Sequence, residues 1–152
     1  MTHTTVHVPL DDRAYDIHIG QGIVSRIGSF VAPFLKQPRV AVVADAHVAG
    51  LHGDNLQAAL SAAGIDSPML TLPQGEATKS WGHLSQTVEW LLDQKMERGD
   101  IVLAFGGGVI GDLVGFAAAI LRRGVRFVQV PTSLLAQVDS SVGGKTGINT
   151  RH

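Results

Sequence analysis

The sequence contains no cysteine, which excludes a disulfide framework and thiolate metal sites and is compatible with a reducing cytoplasm. It is also poor in charge, because charged residues make up 16% of the chain and the formal net charge is -1. No broad basic field is therefore present to hold a nucleic-acid backbone. We expect small-molecule ligands, and no nucleic acid, as partners.

The usual signals for secretion and for membrane insertion are also lacking. The N-terminus, MTHTTVHVPLDDR, has no basic stretch followed by an apolar one, so we expect no signal peptide. Residues 101–121 are nearly all apolar, but Asp112 would cost about 2.5–3.5 kcal/mol at the centre of a bilayer, and three adjacent glycines would break the helix near its start. We expect a buried strand and a buried helix there, no membrane contact, and a cytoplasmic protein.

The apolar pattern alternates between strand and helix along 152 residues, a length that suits one domain with a sizeable core. Weak alternation at 5–8 and 16–19 predicts an N-terminal hairpin. Apolar runs predict strands at 39–45, 67–73, 100–105 and 126–130. Helical spacing predicts helices at 22–35, 56–63 and 80–96, after the glycines of 106–108, and at 133–138. The pattern favours a Rossmann-like α/β fold with a mostly parallel sheet and helices on both faces.

The last ten residues, GGKTGINTRH, are rich in glycine and contain no closing element. We therefore expect residues 1–152 to be one α/β domain of a longer protein.

Glycines mark the first candidate site. Gly106, Gly108 and Gly111 follow a predicted strand with G-x-G-x-x-G spacing, and in a parallel sheet such a turn lets the backbone approach a phosphate. The match alone is weak, because the acidic residue expected about twenty positions later is absent from FVQVPTS. Asp45, at the end of an earlier strand, could reach a ribose instead. The glycines could also serve only a tight turn and close packing.

Charged residues near the predicted helix starts allow two interpretations each. Asp112 suits either a cap that favours the helix dipole or a ligand contact. Glu76 and Lys79, three residues apart in PQGEATKS, suit either a surface charge pair or partners for hydroxyls and phosphate. Arg122 and Arg123, taken alone, favour a basic helix C-terminus.

The segment PTSLLAQVDSSVGGKTGIN contains a misleading motif. GGKT is similar to the end of a P-loop, but Asp139 stands where the first glycine is required, and no strand immediately precedes it. We therefore expect no nucleotide triphosphatase. What remains is a polar cluster on glycines, suited to a polyhydroxylated anionic substrate. Its members are Asp139, Ser140, Ser141, Lys145, Thr146 and Asn149.

Residues 106–149, with PQGEATKS and VVAD upstream in the same order, closely resemble the N-terminal domain of the 3-dehydroquinate synthase family from about Arg39 onward. The resemblance implies a lyase of the shikimate pathway that binds NAD and one divalent metal, usually zinc and otherwise cobalt. It implies conversion of 3-deoxy-D-arabino-heptulosonate 7-phosphate into 3-dehydroquinate and phosphate, and a homodimer.

The resemblance also implies roles for individual residues. Asp45 matches the ribose-binding acid, and residues 107–109 match the turn that holds the pyrophosphate, with Asp112 nearby. The positions that match cofactor contacts are Asp45, Glu76, Lys79, Gly107, Gly108, Val109, Asp112, Thr132, Ser133 and Lys145. Ser133 replaces a threonine of the family but keeps the hydroxyl.

Three positions match catalytic residues of the family. Asp139 and Lys145 match residues that reach both cofactor and substrate, and Arg123 matches a substrate-phosphate contact from the partner subunit. The family's metal ligands, a Glu and two His, come from a helical C-terminal domain that this sequence does not include. The seven histidines form no H-x-x-x-H pair, so we expect no complete metal site within the chain.

We accordingly expect this chain to bind NAD and to be unable to turn over substrate alone. Three alternatives stay open: another sugar phosphate cyclase, an iron-dependent polyol dehydrogenase, and a non-catalytic NAD-binding module.

Overall fold

Backbone pairing divides the strands of the computed structural model, which describes residues 3–133, 136, 137, 141 and 146–151, into two sheets. The strands are β1 (His3–Val8), β2 (Tyr15–Gly20), β3 (Ala41–Asp45), β4 (Met69–Leu72), β5 (Ile101–Gly106) and β6 (Arg126–Pro131). The helices are α1 (Ile27–Val31), α2 (Ala46–Val48), α3 (Asp54–Ala62), α4 (Trp81–Asp93) and α5 (Gly108–Ile120).

The larger sheet has the strand order β4-β3-β5-β6, and each neighbouring pair is parallel. Its two central strands are covered on both faces, since every residue of β5 and the first four residues of β3 are buried. This burial explains why both strands read as continuous apolar runs. The predicted Rossmann-like architecture is confirmed.

Helices cover the two faces of this sheet and form two separate cores. Ala41, Val43, Val102 and Ala104 pack with α4 and α5. The residues between them, such as Val42 and Leu103, pack instead with α1 and α3. Because successive side chains of a strand point to opposite faces, each central strand contributes to both cores.

The order of the strands reverses between β3 and β5. The chain runs from β3 outward to β4, returns across β3 to β5, and then continues outward on the other side to β6. In open parallel sheets the connections diverge at such a reversal and leave a crevice at the carboxyl ends of the strands. Asp45 and Gly106, which end β3 and β5, lie at this crevice.

The smaller sheet is the predicted hairpin of β1 and β2, which pair antiparallel from His3 opposite Gly20 to Val8 opposite Tyr15. One of its faces is held by rings, because His18 stacks on Phe30 with 4.2 Å between ring centroids. The other face carries exposed apolar side chains, including Val6 at 43% and Ile19 at 54% exposure.

One helix prediction needs correction, and a second falls mostly on residues outside the described ones. The predicted helix 22–35 is divided into a 3₁₀ turn (Ile23–Arg26), α1 and a second 3₁₀ turn (Ala32–Phe34). Its proline and glycines account for this division, because Pro33 donates no backbone hydrogen bond and glycine is a weak helix former. The predicted helix 133–138 lies mostly outside the described residues.

Helix α5 is apolar on nearly all sides because it lies between the sheet and neighbouring elements. Its 13 residues correspond to about 20 Å. Within the part of the chain that the structure describes, no helix is long and apolar enough to cross a membrane.

Gly115 tests how tightly segment 146–151 packs on α5. A Cβ at this position would overlap the methyl group of Thr146 and lie 3.1 Å from the Phe127 ring. We expect Gly115→Ala to lower the free energy of unfolding by about 1–3 kcal/mol, as overpacking does. Gly50→Ala is the control, since nothing lies within 4 Å of its Cβ position. Urea unfolding midpoints that are equal for Gly115→Ala and the wild type would contradict this packing.

Candidate functional site

The glycine turn connects the end of β5 to the start of α5. Gly107 is the N-cap of α5 in an extended conformation, and no side chain caps the helix. The first backbone N–H groups and the positive end of the helix dipole therefore suit an anion. Packing also favours glycine at position 106, because a Cβ there would make tight contacts, 3.0 Å from Ile110 and 3.2 Å from the Cβ of Asp45. The packing interpretation made from the sequence is thus supported, and the phosphate interpretation stays a prediction.

Asp45 lies beside this turn at the end of β3. Its Oδ1 accepts a hydrogen bond from the Val48 backbone N–H at 3.0 Å, so the side chain caps α2. That bond fixes the carboxylate at the crevice. A carboxylate has acceptor capacity beyond one such bond, so Asp45 can still accept from a ligand hydroxyl.

The PQGEATKS turn places Glu76 and Lys79 on one side of the chain. Gly75 has φ 113, a conformation that favours glycine. The hydroxyl of Thr78, which is 2% exposed, donates to the Pro73 carbonyl. Lys79 Nζ then lies 3.2 Å from Glu76 Oε1, as the charge-pair interpretation predicts.

The same lysine reaches a second carboxylate that sequence spacing did not reveal. Lys79 Nζ donates to Asp112 Oδ2 at 3.0 Å, across 33 residues. The two side chains are 17% and 22% exposed, respectively. Asp112 is the charged residue of the otherwise apolar α5, and it pairs with Lys79 instead of capping the helix. The site therefore brings together Glu76, Lys79 and Asp112.

Two residues of this network, Lys79 and Glu76, have shifted pKa values. Burial alone would lower the pKa of Lys79, but hydrogen bonds to Asp112 and Glu76, together with their charges, outweigh it and raise the pKa above 10.5. The hydrogen bond from Asn149, followed by the hydrogen bond and charge of Lys79, lowers the pKa of Glu76 below 4.5. At neutral pH Lys79 and Glu76 therefore stay ionised.

Asn149 also belongs to this network, through contacts with Glu76 and Lys79 that sequence reasoning did not predict. Its side-chain amide donates to Glu76 Oε1 at 2.8 Å, and its backbone N–H donates to the Lys79 carbonyl at 2.8 Å. The only signal in the sequence was its membership of the polar cluster after the glycines.

Thr132 and Ser133 flank the glycine turn, as the resemblance suggests. The Thr132 backbone N–H donates to the Gly106 carbonyl at 2.9 Å. A Cβ on Gly107 would lie 3.4 Å from Ser133 Oγ, and that hydroxyl accepts from the Ala136 N–H at 3.2 Å. Val109 lies in the first turn of α5.

Arg123 is not brought to this site. It lies in the 3₁₀ turn Leu121–Arg123, which precedes β6. The start of β6 is at the amino edge of the sheet, whereas the glycine turn is at the carboxyl edge, about 20 Å away along α5. Arg122 and Arg123 both have left-handed backbones, with φ 47 and φ 64. Asp139 and Lys145 lie outside the described residues.

Among the side chains that the structure describes, no group of three or more His, Cys, Asp or Glu residues could hold a metal ion.

A parallel sheet covered on both faces, with a glycine turn and an uncapped helix start at the strand-order reversal, defines a Rossmann-like α/β domain. Comparison with known proteins identifies the family to which this domain belongs. Residues 69–152 match the family model of the 3-dehydroquinate synthase N-terminal domain. The chain belongs to the 3-dehydroquinate synthase family.

The curated relatives agree with this assignment. The chain is 70% identical over 145 residues to 3-dehydroquinate synthase of Roseobacter denitrificans, covering 95% of this chain and 39% of that protein. A 3-dehydroquinate synthase of a Ruegeria species is 66% identical over the same share of each. The chain thus spans about two fifths of the length of the curated relatives it matches.

Solved structures extend the likeness to related enzymes. The 2-epi-5-epi-valiolone synthase of Streptomyces hygroscopicus, solved with NAD+ and Zn2+, is 34% identical with a TM-score of 0.72, covering 74% of this chain and 32% of that one. A 2-deoxy-scyllo-inosose synthase is 22% identical with a TM-score of 0.87, covering 97% and 41%. At that identity the second match shows the fold alone.

The lowered pKa of Glu76 gives a test of the network. Because the ionised carboxylate stabilises the fold above the unfolded pKa near 4.5, its contribution is lost as pH falls through the folded pKa. We expect the wild type to be more stable than Glu76→Gln above that pH and equal to it in stronger acid. Urea midpoints of both proteins from pH 3 to pH 7 measure this. A difference that is constant across the range would contradict the network.

Proposed function

We propose that this chain forms the cofactor-binding part of a 3-dehydroquinate synthase, which converts 3-deoxy-D-arabino-heptulosonate 7-phosphate into 3-dehydroquinate and phosphate. One observation carries the proposal. In a chain 70% identical to such a synthase, the glycine turn lies at the strand-order reversal, beside Asp45 and the Lys79–Asp112 pair.

The chain's own residues fit NAD at this place. The start of α5 has no side-chain cap, so its N–H groups suit the pyrophosphate, and a side chain on Gly106 would intrude on Ile110 and Asp45. A related cyclase that is 34% identical was solved with NAD+. These observations support NAD over a ligand without phosphate.

Each residue then has a separate role. Residues 107–109 donate backbone N–H groups to the pyrophosphate, and Asp45 accepts from a ribose hydroxyl. Glu76, Lys79 and Asp112 border the bound cofactor, with Thr132 and Ser133 on the other side of the turn. The resemblance assigns Asp139 and Lys145 to contacts with both cofactor and substrate, for which an amine suits an anionic group and a carboxylate suits hydroxyls.

When bound, NAD would supply reversible hydride transfer. Transient oxidation of a substrate hydroxyl to a ketone would acidify the neighbouring C–H for β-elimination of phosphate, and return of the hydride would leave no net NADH. The protein's part is to hold the substrate against the cofactor and to exclude side reactions. The described residues do not fit a metal ion, and we assign no step to one in this chain. The resemblance assigns the zinc or cobalt to a Glu and two His of a C-terminal domain.

A homodimer is part of the proposal, since the resemblance assigns Arg123 to the site of a partner subunit. The position of Arg123 in the turn before β6, at the edge of the sheet opposite the glycine turn, supports this role. The exposed apolar face of the hairpin, with Val6 and Ile19, offers surface for such an association.

A sister cyclase is the second candidate, favoured by the 34% identity to 2-epi-5-epi-valiolone synthase. The 70% identity to a 3-dehydroquinate synthase outweighs that likeness. The two candidates differ in their sugar phosphate substrate.

The first experiment measures phosphate release by the protein made from the complete reading frame of the gene. We expect release from 3-deoxy-D-arabino-heptulosonate 7-phosphate that requires NAD and produces no net NADH. Residues 1–152 alone should bind NAD by calorimetry and release no phosphate. Tight NAD binding without release from this substrate would move the assignment to a sister cyclase, and sustained NADH from a polyol to a dehydrogenase.

Arg123→Ala tests the partner-subunit role in the same complete protein. We expect kcat/KM for the sugar phosphate to fall roughly 10- to 100-fold, as for a lost charge-assisted hydrogen bond, with the NAD dissociation constant unchanged. Arg98→Ala, an exposed arginine of the α4–β5 connection, is the matched control. An equal loss of NAD affinity, or unchanged kinetics, would refute the role.

A further inference from the structure

Asn149 connects two parts of the chain that are 73 residues apart. Its side chain and its backbone bind the same turn, one at the carboxylate of Glu76 and the other at the carbonyl of Lys79, both at 2.8 Å. With these two hydrogen bonds, Asn149 connects its own segment to the turn that contains the candidate cofactor contacts Glu76 and Lys79.

The backbone around Asn149 is itself held in place. The Gly147 N–H donates to the Asp112 carbonyl at 3.1 Å, and Ile148 packs against the core formed by α4 and α5. Thr146 lies over Gly115, where no side chain would fit. The amide of Asn149 therefore reaches Glu76 from a position fixed by α5.

Glu76, in contrast, has little else to hold it. Its side chain is 64% exposed, and its contact with Lys79 Nζ at 3.2 Å is longer than the 3.0 Å contact of Lys79 with Asp112. An exposed glutamate with one ion pair keeps much rotamer freedom. Asn149 and Lys79 both contact Oε1 of Glu76. These two contacts orient the Glu76 carboxylate, and Oε2 takes part in neither of them.

We propose that Asn149 is a positioning residue of the cofactor site, whose amide holds the Glu76 carboxylate against Lys79 so that Glu76 is oriented for the hydroxyls of bound NAD. This inference rests on the proposed function. It goes beyond it because the resemblance assigns Glu76 and Lys79 to the cofactor but leaves Asn149 without a role.

A double-mutant cycle on NAD affinity tests the inference, using the complete protein and calorimetry. We expect Asn149→Ala to weaken NAD binding about fivefold to tenfold, in line with one lost hydrogen bond to a charged group. Glu76→Ala should weaken it at least as much. The double variant should bind no more weakly than Glu76→Ala, because Asn149 acts through Glu76. Asn55→Ala, an exposed asparagine on α3, should leave the dissociation constant unchanged.

Asn149→Asp separates positioning from general stability. At pH 7 a second carboxylate facing Glu76 should weaken NAD binding more than Asn149→Ala does, and this extra loss should disappear when Glu76 is alanine. In steady-state kinetics KM for NAD should rise while kcat at saturating NAD stays near the wild-type value. A uniform fall in kcat, or urea midpoints that fall in step with affinity, would indicate a structural role and overturn the inference.

The two proposals fail differently in this experiment. If the wild type binds no NAD, the proposed function falls and the inference falls with it. If the wild type binds NAD and Asn149→Ala binds equally well, or if the losses from Asn149→Ala and Glu76→Ala are additive, only the inference is overturned.

Discussion

The parallel pairing of β3 with β5 is the constraint on which the candidate site depends. Its register sets Ala44 beside Phe105, so that Asp45 and Gly106 leave the sheet together. With β4 outside one strand and β6 outside the other, the connections diverge and leave the crevice between them open. A shift of one residue would turn Val42 and Leu103 toward the wrong core. The two cores therefore fix the geometry of the site as well as the stability of the sheet.

Charge compensation at Lys79 is the second feature that organises the site. The Lys79 side chain is 17% exposed, and its desolvation is offset by Asp112 and Glu76. This pairing explains a carboxylate in an otherwise apolar helix. Removing the lysine would leave the Asp112 carboxylate partly buried without this partner, which is costly. The charge of Lys79 is already paired with two carboxylates, Asp112 and Glu76. Binding of a phosphate beside Lys79 therefore depends on the orientation of the phosphate as much as on its attraction to the amine.

The sheet, the hairpin and the glycine turn could be predicted from the sequence, because their signals are local. Asp45 and Gly106 were identified at the ends of apolar runs, and strand ends in a parallel sheet converge at one edge. The pairing of Lys79 with Asp112 and the bond from Asn149 to Glu76 could not be predicted, since contacts across 33 and 73 residues leave no periodic signal. The helix predicted at 22–35 was wrong in its continuity, because glycine and Pro33 weaken a regular helix despite its apolar spacing.

The central claim is that NAD binds on the glycine turn at the reversal of strand order. The most direct measurement is a titration of the isotope-labelled protein with NAD, followed by backbone amide chemical shifts. The account predicts that the largest shifts occur at Gly107, Gly108 and Val109, with further shifts at Lys79 and Asp112. Shifts concentrated in the groove lined by Gln57 and Ser67 on the other face, with the glycine amides unchanged, would contradict it.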